Sequence, residues 1–440
     1  MIKKLFLVFI AFFALNTYGQ QGTSSPYSFY GIGSLKFKGT VENRSMGGLS
    51  IYADSIHINL RNPATFAGKN VKLSPFNNES RPIKFTVGGS HSSTKLQTES
   101  ASDKTTSTSF EYLAISVPMG KFGLSFGILP YSSVGYKLDA KEIINDSLVT
   151  SNRYNGEGGV NKAYVGLGYE IAKDLMIGVD ASYNFGNIQN SSVDFVFDNE
   201  GLPLQYQSRE SNRSDLSGIN FKLGLHYSPM ITDKLQLSSG IIYSPKSDLS
   251  SNNERIFATI VINPTTGQEF VINDIEADLE SDGLDRTTLT LPTQLNIGAG
   301  IGQPHKWFVG AEYTYLQTSQ FSNRIFEIEN ATFEDASIFT VGGFYIPQYT
   351  SFNKYWKRIV YRAGVRFENT GLKINNESIN EFGMSFGVGL PVGRMFSNAN
   401  LGVEVGQRGT TNQNLVKENF INLQLSLSLN DRWFVKRKFN

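Results

Sequence analysis

The sequence predicts an all-β fold: a transmembrane antiparallel β-barrel of about 14 strands with an N-terminal hatch inside its lumen. Apolar residues alternate with small or polar ones in segment after segment, which places successive side chains on opposite faces of a strand. The segments are joined alternately by tight turns and by long polar links, a rhythm typical of outer-membrane barrels. An irregular, turn-rich stretch precedes the first segment and is the spare material that could fill so wide a lumen.

The first 19 residues predict a cleaved secretory signal. Lys3 and Lys4 are followed by an apolar run, Leu5 to Leu15, and then by Gly19. The run is about half the ~20 residues that a membrane-spanning helix needs, so we expect cleavage before Gln20, with a membrane anchor as the alternative. The predicted domains are a signal peptide at 1–19, a periplasmic or hatch segment at 20–81 and an outer-membrane barrel at 82–440.

The composition excludes several function classes. The formal net charge of the 440 residues is +1, which offers no basic surface for nucleic acid. The chain has no cysteine, so disulfides, thiolate metal sites and lipid attachment through cysteine are excluded. Its four histidines lie far apart in sequence, without the spacing of a metal site. We therefore predict no metal and no cofactor.

The alternation is clearest in the last predicted strand. There Leu423, Leu425, Leu427 and Leu429 share one face, opposite polar side chains. These leucines are predicted to face lipid and to act as the signal that the outer-membrane insertion machinery recognises during biogenesis. The strands are placed at 82–95, 105–118, 122–135, 157–171, 175–189, 205–229, 235–247, 286–302, 307–320, 337–348, 357–368, 378–391, 398–408 and 417–430. The long links near 136–154, 190–204 and 248–284 are predicted to be external loops. An even strand count puts both termini on the periplasmic side of the outer membrane of a Gram-negative bacterium.

The faces opposite the apolar residues carry ionisable side chains, which the alternation predicts to face the lumen: Glu170, Asp180, Lys222, Glu312, Arg362, Arg366 and Glu404. They have two interpretations. They could select what crosses the barrel, or they could pair with one another and anchor the hatch. We favour the structural interpretation, because ionisable groups inside a membrane protein tend to pair or to face water.

The hatch is predicted from the stretch between Arg44 and Ala67. Its hatch motif comprises Arg44, Met46, Gly47, Gly48, Asp54, Asn62, Pro63 and Ala64. Asn before Pro is held out of the right-handed helical region and can bond the backbone two residues on, which fixes a turn.

This stretch resembles a family signature. Arg44-Ser-Met46-Gly47-Gly48, an acidic spacer and Asn62-Pro63-Ala64 are similar to the FadL-like long-chain fatty-acid channels and to PorV-like outer-membrane barrels of Bacteroidota. The resemblance implies an internal hatch in a fourteen-stranded barrel. The chain departs from the family after the Asn-Pro-Ala motif, where Thr65 and Phe66 stand in place of the usual Gly-Leu.

Other motifs favour ordinary structural interpretations. Gly166-x-Gly168 lacks the third glycine and the helix of a dinucleotide fingerprint. The acidic run from Asp274 to Asp285 resembles a calcium loop, but Leu289 stands where the final Glu would be, so a solvated loop is the better interpretation. His91 and Ser93 share a strand face, but no third catalytic group can be identified.

Three functions remain open. Passage of hydrophobic small molecules across the outer membrane is placed first, because the resembled family is most often of that kind. The alternative is a non-transporting barrel subunit of a multi-protein outer-membrane machine, for PorV-like secretion or for barrel assembly. A barrel enzyme is placed last, so the prediction is no enzyme. The expected partners are outer-membrane lipids, the insertion machinery and a stable membrane complex if the second function holds.

Overall fold

The computed structural model describes residues 22–54, 56–67, 83–144, 147–198, 203–263, 265–321, 330–392 and 397–431. The predicted signal peptide and the tail after Asp431 lie outside these ranges. Within the ranges the chain forms twenty strands: β1 (Ser34–Leu35), β2 (Ile83–Gln97), β3 (Ser102–Met119), β4 (Phe122–Pro130), β5 (Ser132–Ile144), β6 (Ser147–Ala172), β7 (Leu175–Val196), β8 (Gln207–Tyr227), β9 (Gln236–Ser244), β10 (Ser247–Ile262), β11 (Glu269–Glu276), β12 (Arg286–Leu291), β13 (Gln294–Gln303), β14 (Trp307–Leu316), β15 (Ala331–Phe333), β16 (Ala336–Tyr345), β17 (Val360–Ile374), β18 (Glu377–Pro391), β19 (Asn398–Arg408) and β20 (Lys417–Asp431).

Helical structure is confined to single turns. The described chain has one short α-helix, α1 (Val41–Arg44), and 3₁₀ turns at Pro26–Phe29, Pro63–Phe66, Thr318–Gln320, Tyr355–Arg358 and Asn412–Asn414. No helix in the described ranges has the length and apolar character needed to cross a bilayer.

The wall is a closed antiparallel barrel of fourteen strands, as the sequence predicts. Three wall strands are interrupted and therefore count twice among the twenty: β4 with β5, β9 with β10 and β12 with β13. Two of the interruptions contain a proline, Pro245 and Pro292, which cannot donate to a ladder. Strands β1, β11 and β15 lie outside the fourteen. The barrel closes where β2 pairs with β20, in register from Ile83 opposite Asp431 to Gln97 opposite Lys417, so no edge is left open there.

Side chains alternate across the wall as the period-two pattern requires. In β20, Leu423 is 50% exposed on the outer face, whereas Ser426 is completely buried on the inner face. Leu425 and Leu427 are half-buried and Leu429 is exposed, so all four predicted leucines point outward. The apolar outer face is what lipid covers in an outer-membrane barrel.

One part of the wall extends much further than the sequence predicts. Strands β5, β6, β7 and β10 continue through much of 136–154, 190–204 and 248–284, so the prediction of loops there is wrong. The reason lies in the environment. Beyond the apolar band the outer face of a strand meets water, so Ser, Thr and Asn replace the lipid-facing apolar residues and the alternation weakens, although buried Val193, Ala258 and Ile260 still pack together there.

Candidate functional site: the plugged lumen

The lumen is filled by the N-terminal segment, residues 22–54 and 56–67, called the hatch below. The barrel has a short-turn end, with turns such as Lys173–Asp174, and a long-loop end opposite it. Tyr27 packs with Leu372 and Ile379 near the long-loop ends of β17 and β18. The Pro63–Phe66 turn contacts β6, β7 and β8 near their short-turn ends. The hatch therefore runs through the lumen from one end to the other.

The Arg44–Gly48 part of the motif forms a tight reversal in the lumen. The helix α1 is followed by Gly47 and Gly48 with φ of +75° and +101°, which other residues adopt only with strain. The Gly47 amide donates to Ser385 Oγ of the wall at 2.9 Å, and Met46 packs on Phe308 and Phe344. The two glycines thus direct the chain back on itself while Met46 fills the apolar side of the lumen.

The Asn-Pro-Ala motif fixes the other end of the hatch. Asn62 is fully buried, and its Oδ1 accepts from the Ala64 amide at 3.0 Å, as the sequence pattern suggests. Its Nδ2 donates to the Leu225 carbonyl of β8 at 3.1 Å. One side chain therefore closes the turn and binds the turn to the wall.

Wall glycines let the hatch backbone approach closely. A Cβ built at Gly342 or Gly364 would overlap the backbone at Met46, and one at Gly178 would overlap the Pro63–Ala64 backbone. At Gly240, by contrast, the nearest atom to a built Cβ is Asn62 Nδ2, at 3.2 Å. The glycines that the sequence places opposite bulky lipid-facing residues are thus the contact surface for the hatch.

This difference gives a test of the hatch contact. We expect Gly178→Ala to lower the stability of the barrel by about 1–3 kcal/mol, because backbone atoms cannot move aside as a side chain can. Gly240→Ala is the matched control, since it needs only a small shift of the Asn62 amide. Heat-modifiability gels of the two purified variants measure the midpoint of unfolding. Equal midpoints for the two variants would show that the hatch does not pack where the structure places it.

The hatch and one side of the wall share a buried cluster of charges, called the charge cluster below. Its members are linked by ion pairs of 4.0 Å or less: Lys36, Lys38, Arg44, Glu111, Glu368, Arg366, Glu381, Glu404, Arg408 and Glu418. Five carboxylates thus meet five cations. The wall alone contributes five carboxylates and two cations, and the hatch supplies the three remaining cations. The hatch therefore neutralises a wall that would otherwise hold an excess of negative charge in a poorly solvated space.

Arg366 lies at the centre of the charge cluster. Its guanidinium binds Glu404 Oε1 at 2.7 Å and also pairs with Glu381. From the hatch, Lys38 Nζ reaches Glu381 Oε1 at 2.6 Å and Arg44 reaches Glu404 Oε2 at 3.2 Å. Glu404 is thus held by one wall cation and one hatch cation. Glu381 is held by Lys38 of the hatch and by two wall cations, Arg366 and Arg408.

A second polar anchor lies on β14. Glu312 is 3% exposed and accepts from the Ser50 amide at 2.7 Å and from the Ser50 hydroxyl at 2.6 Å. Arg61 pairs with the other carboxylate oxygen at 3.1 Å, and Asn296 donates to it at 3.2 Å. A single wall carboxylate therefore holds two points of the hatch that are eleven positions apart in sequence.

The short-turn end holds a cavity of about 710 Å³ whose floor is the hatch. There His57 Nδ1 lies 2.7 Å from Asp54 Oδ2, and His57 Nε2 lies 3.7 Å from Glu42 Oε1. The Asp54 carboxylate also accepts from the Ile56 and His57 amides, at 2.9 and 2.7 Å. Asp54 therefore orients His57 and fixes this loop of the hatch. Within the described residues, no group of three or more His, Asp or Glu is placed to hold a metal ion.

The hatch also bridges the closing strands of the barrel. Lys84 of β2 donates to the His57 carbonyl at 2.7 Å, and Asn430 of β20 donates to the Ile56 carbonyl at 3.2 Å. Lys84 and Asn430 stand opposite each other in the ladder. Two adjacent hatch carbonyls therefore bind both strands of the β2–β20 pair, called the seam of the barrel below.

The wall has a gap beside β3. In the described chain, β3 pairs with β4 only from Leu113 to Met119, and no ladder joins the rest of β3 to β5. The hatch strand β1 instead pairs with β5, Ser34 opposite Ser133 and Leu35 opposite Ser132. Leu35 is 42% exposed there. A two-residue strand of the hatch therefore occupies the edge that a wall strand would otherwise cover.

All seven charged residues predicted to face the lumen do lie on inward positions of the wall, but they do not form one site. Arg366 and Glu404 belong to the charge cluster, whereas Glu312 forms the separate anchor on β14. Lys222 and Asp180 lie 4.0 Å apart. Arg362 donates to Asn400, and Glu170 stands close to the short turn after β6.

Sequence reasoning missed Glu381 and most of the hatch side of the site. The alternation contained the signal for Glu381, because Phe382 faces outward and its neighbour must then face inward. Glu111 was hidden by a bulge, at which the register of β3 shifts between the partners of Gly88 and Gly89. For Lys38, Glu42 and Arg61 the hatch offers no periodic pattern from which to predict direction.

Solved structures with the same fold are outer-membrane barrels of the FadL type. The chain is similar to a FadL homologue of Pseudomonas aeruginosa (10% identity, TM-score 0.55, covering 90% of this chain and 98% of that one). It is also similar to the toluene transporter TodX of Pseudomonas putida (14% identity, TM-score 0.54, 92% and 100%). A third is the toluene transporter TbuX of Ralstonia pickettii (14% identity, TM-score 0.52, 89% and 98%). At such low identity the likeness shows the fold alone.

Comparisons of the sequence identify the family. Among curated proteins, none matches this chain. A family model described as BamG matches residues 1–440, the whole length of the chain. Its fold is a fourteen-stranded FadL-type barrel whose lumen holds the chain's own N-terminal segment. Because the match covers the whole chain, the protein belongs to the BamG family.

Proposed function

We propose that this chain is a non-transporting barrel subunit of a multi-protein outer-membrane machine, and that its hatch is a permanent plug. The observation that carries the proposal is the charge cluster, in which three hatch cations neutralise the excess carboxylates of the wall. Opening the lumen would separate ion pairs buried on both sides, and an uncompensated buried charge costs several kcal/mol. Of the two kinds of machine, the family name BamG favours barrel assembly over secretion. The proposed role is structural rather than enzymatic.

The proposed orientation puts the short-turn end and both termini in the periplasm, and the long-loop end outside the cell. Outer-membrane barrels have short periplasmic turns and longer external segments. The longest described strands, β6, β7 and β8, extend at the long-loop end. The subunit would thus present its largest surface outside the cell.

Passage of hydrophobic small molecules is the second candidate, and one observation favours it. The gap between β3 and β5 is closed by β1, so a movement of the N-terminal end of the hatch would open a route from the lumen into lipid. This function requires the hatch to move, whereas the first requires it to stay.

A disulfide tether between the hatch and the wall distinguishes the two candidate functions. A Cβ built at Gly22 of the hatch lies 3.1 Å from Ser133 Cβ of β5, close to the ~3.5–4.5 Å of a disulfide, and the chain has no other cysteine. We expect cells whose only copy is Gly22→Cys/Ser133→Cys to keep folded outer-membrane barrels at the wild-type level under oxidising conditions. The reduced form and each single cysteine variant are the controls.

The protein purified from its own membranes in mild detergent supplies the second readout. We expect wild type and the oxidised tether alike to elute in size-exclusion chromatography as a large complex with fixed partners. Elution at monomer size, together with an uptake of apolar compounds that the tether abolishes, would contradict the proposed function and support passage of hydrophobic small molecules.

A further inference from the structure

Strand β8 shows where the wall leaves the membrane. Its outward residues change from Ile219, Phe221 and Leu223, which are 58%, 50% and 49% exposed, to Ser217, Asp215 and Arg213 further along. Apolar side chains face lipid and polar ones face water, so the apolar band ends near residue 218. The described part of β8 beyond that point belongs to a sheet in water.

Strand β11 lies well beyond this boundary. It pairs with β10 from Ile256 to Ile262, and that part of β10 pairs in turn with the far end of β8. Ser211, which stands opposite Ile256, is six residues past Ser217. At about 3.3 Å per residue, the end of β11 nearest the membrane lies roughly 20 Å along the strand beyond the apolar band.

Strand β11 is an apolar edge. Phe270, Val271, Ile272 and Ile275 are 48%, 48%, 58% and 65% exposed. In the described ranges β11 has one ladder, to β10, so its other edge carries unpaired backbone groups. Opposite Ile275 stands Phe257, itself 47% exposed, which extends the apolar surface. Proteins normally protect such an edge with charges, prolines or a cover, because it is a template for another strand.

The charge around this edge indicates what covers it. From Glu269 to Asp285 the chain has seven carboxylates and no Lys, Arg or His. A second copy fits poorly, because antiparallel pairing of two β11 strands centred on this segment brings Glu269 opposite Glu276, and like charges in opposite positions repel. A strand with basic side chains is complementary.

We propose that β11 is a docking edge for a second protein on the cell surface, which adds an extended segment of apolar residues interspersed with Lys or Arg to the β10–β11 sheet. Main-chain hydrogen bonds supply affinity in this mode, and alternate side chains supply specificity. The inference rests on the proposed function, since it names the surface by which the subunit joins its machine.

Site-specific photocrosslinking on intact cells tests the docking edge. A benzoylphenylalanine replaces Ile275, and the control carries it at Val196, which is also exposed (46%) and outside the apolar band but lies at the end of β7 within the sheet. We expect one adduct from Ile275 and none from Val196, with the crosslinked peptide mapping to an extended, Lys- or Arg-containing segment of another protein. An adduct with a second copy of this chain, or with an acidic segment, overturns the proposal.

A variant that places two lysines on the edge gives the quantitative readout. Ile272→Lys/Ile275→Lys is expected to reduce the co-purified partner at least about tenfold, whereas Val196→Lys leaves it unchanged. Both variants must show the wild-type shift in heat-modifiability gels, so that lost docking is distinguished from a misfolded barrel. Wild-type recovery of every partner by Ile272→Lys/Ile275→Lys overturns the docking edge but leaves the proposed function standing. A wild-type protein that purifies alone overturns the proposed function itself.

Discussion

Arg366→Met is expected to destabilise the barrel by about 3–5 kcal/mol, because it leaves two buried carboxylates without their shared cation. Arg366 is 5% exposed, and the carboxylates that it holds, Glu381 and Glu404, are 4% and 6% exposed. Methionine preserves much of the volume of the side chain, so lost packing adds little. The unfolding midpoint, in denaturant or on heating, is the measurement.

A second variant makes this result specific to the charge cluster. Arg153→Met breaks the pair between Arg153 and Asp139, whose side chains are 41% and 60% exposed, and we expect a midpoint close to wild type because exposed pairs contribute little. Arg366→Met with Glu404→Gln should recover part of the loss, since it removes one of the two negative charges that Arg366 balances. Equal midpoints for Arg366→Met and Arg153→Met would mean that the cluster is hydrated and does not hold the hatch.

Glu312→Ala is expected to release the middle of the hatch from the wall. The change leaves the Ser50 amide and hydroxyl without their acceptor inside the lumen, and it removes the carboxylate partner of Arg61, which then keeps the Gly48 carbonyl as its acceptor. Each unsatisfied buried group costs about 1–3 kcal/mol, and more if charged, so the segment between them should detach before the wall unfolds. Limited digestion of the purified protein by trypsin, which cleaves after Arg61 once that residue is accessible, reports the release.

The control for this experiment is Glu254→Ala, at an exposed position of β10 outside the lumen. We expect its digestion pattern to match wild type. If Glu312→Ala protects Arg61 as well as wild type does, the anchor on β14 is dispensable and the charge cluster alone retains the hatch.

The wall could be predicted from sequence because each strand meets two different environments. Lipid on one side and a crowded lumen on the other impose period two, which gives both the strand and the inward direction of residues such as Arg366 and Glu404. Where water replaces lipid on the outer face, as along the outer part of β6 and β7, that contrast weakens and the strands were predicted to be loops.

The site could be predicted only in part, for a different reason. Alternation gives the face on which a side chain lies but not its height in the barrel, so it cannot show that Arg366 meets Glu381 while Glu312 stands apart. The hatch motif predicted one turn, at Asn62–Pro63, and it occurs. The reversal at Gly47–Gly48 was not predicted. Which wall residues those turns touch depends on contacts hundreds of positions away along the chain, such as Gly47 with Ser385.

The seam of the barrel has a consequence for the rate at which the chain folds. Joining β2 to β20 closes a loop of more than 300 residues, the kind of long-range pairing whose entropy must be lost before its hydrogen bonds form. The carbonyls of Ile56 and His57 bind the two strands at a matched pair of positions, and this segment lies close in sequence to β2. Because the hatch precedes β2 in the chain, its carbonyls can position β20 beside β2 before the ladder between the two strands forms. The hatch therefore acts as a folding template, and the contacts that hold it in the lumen also speed the closure of the barrel.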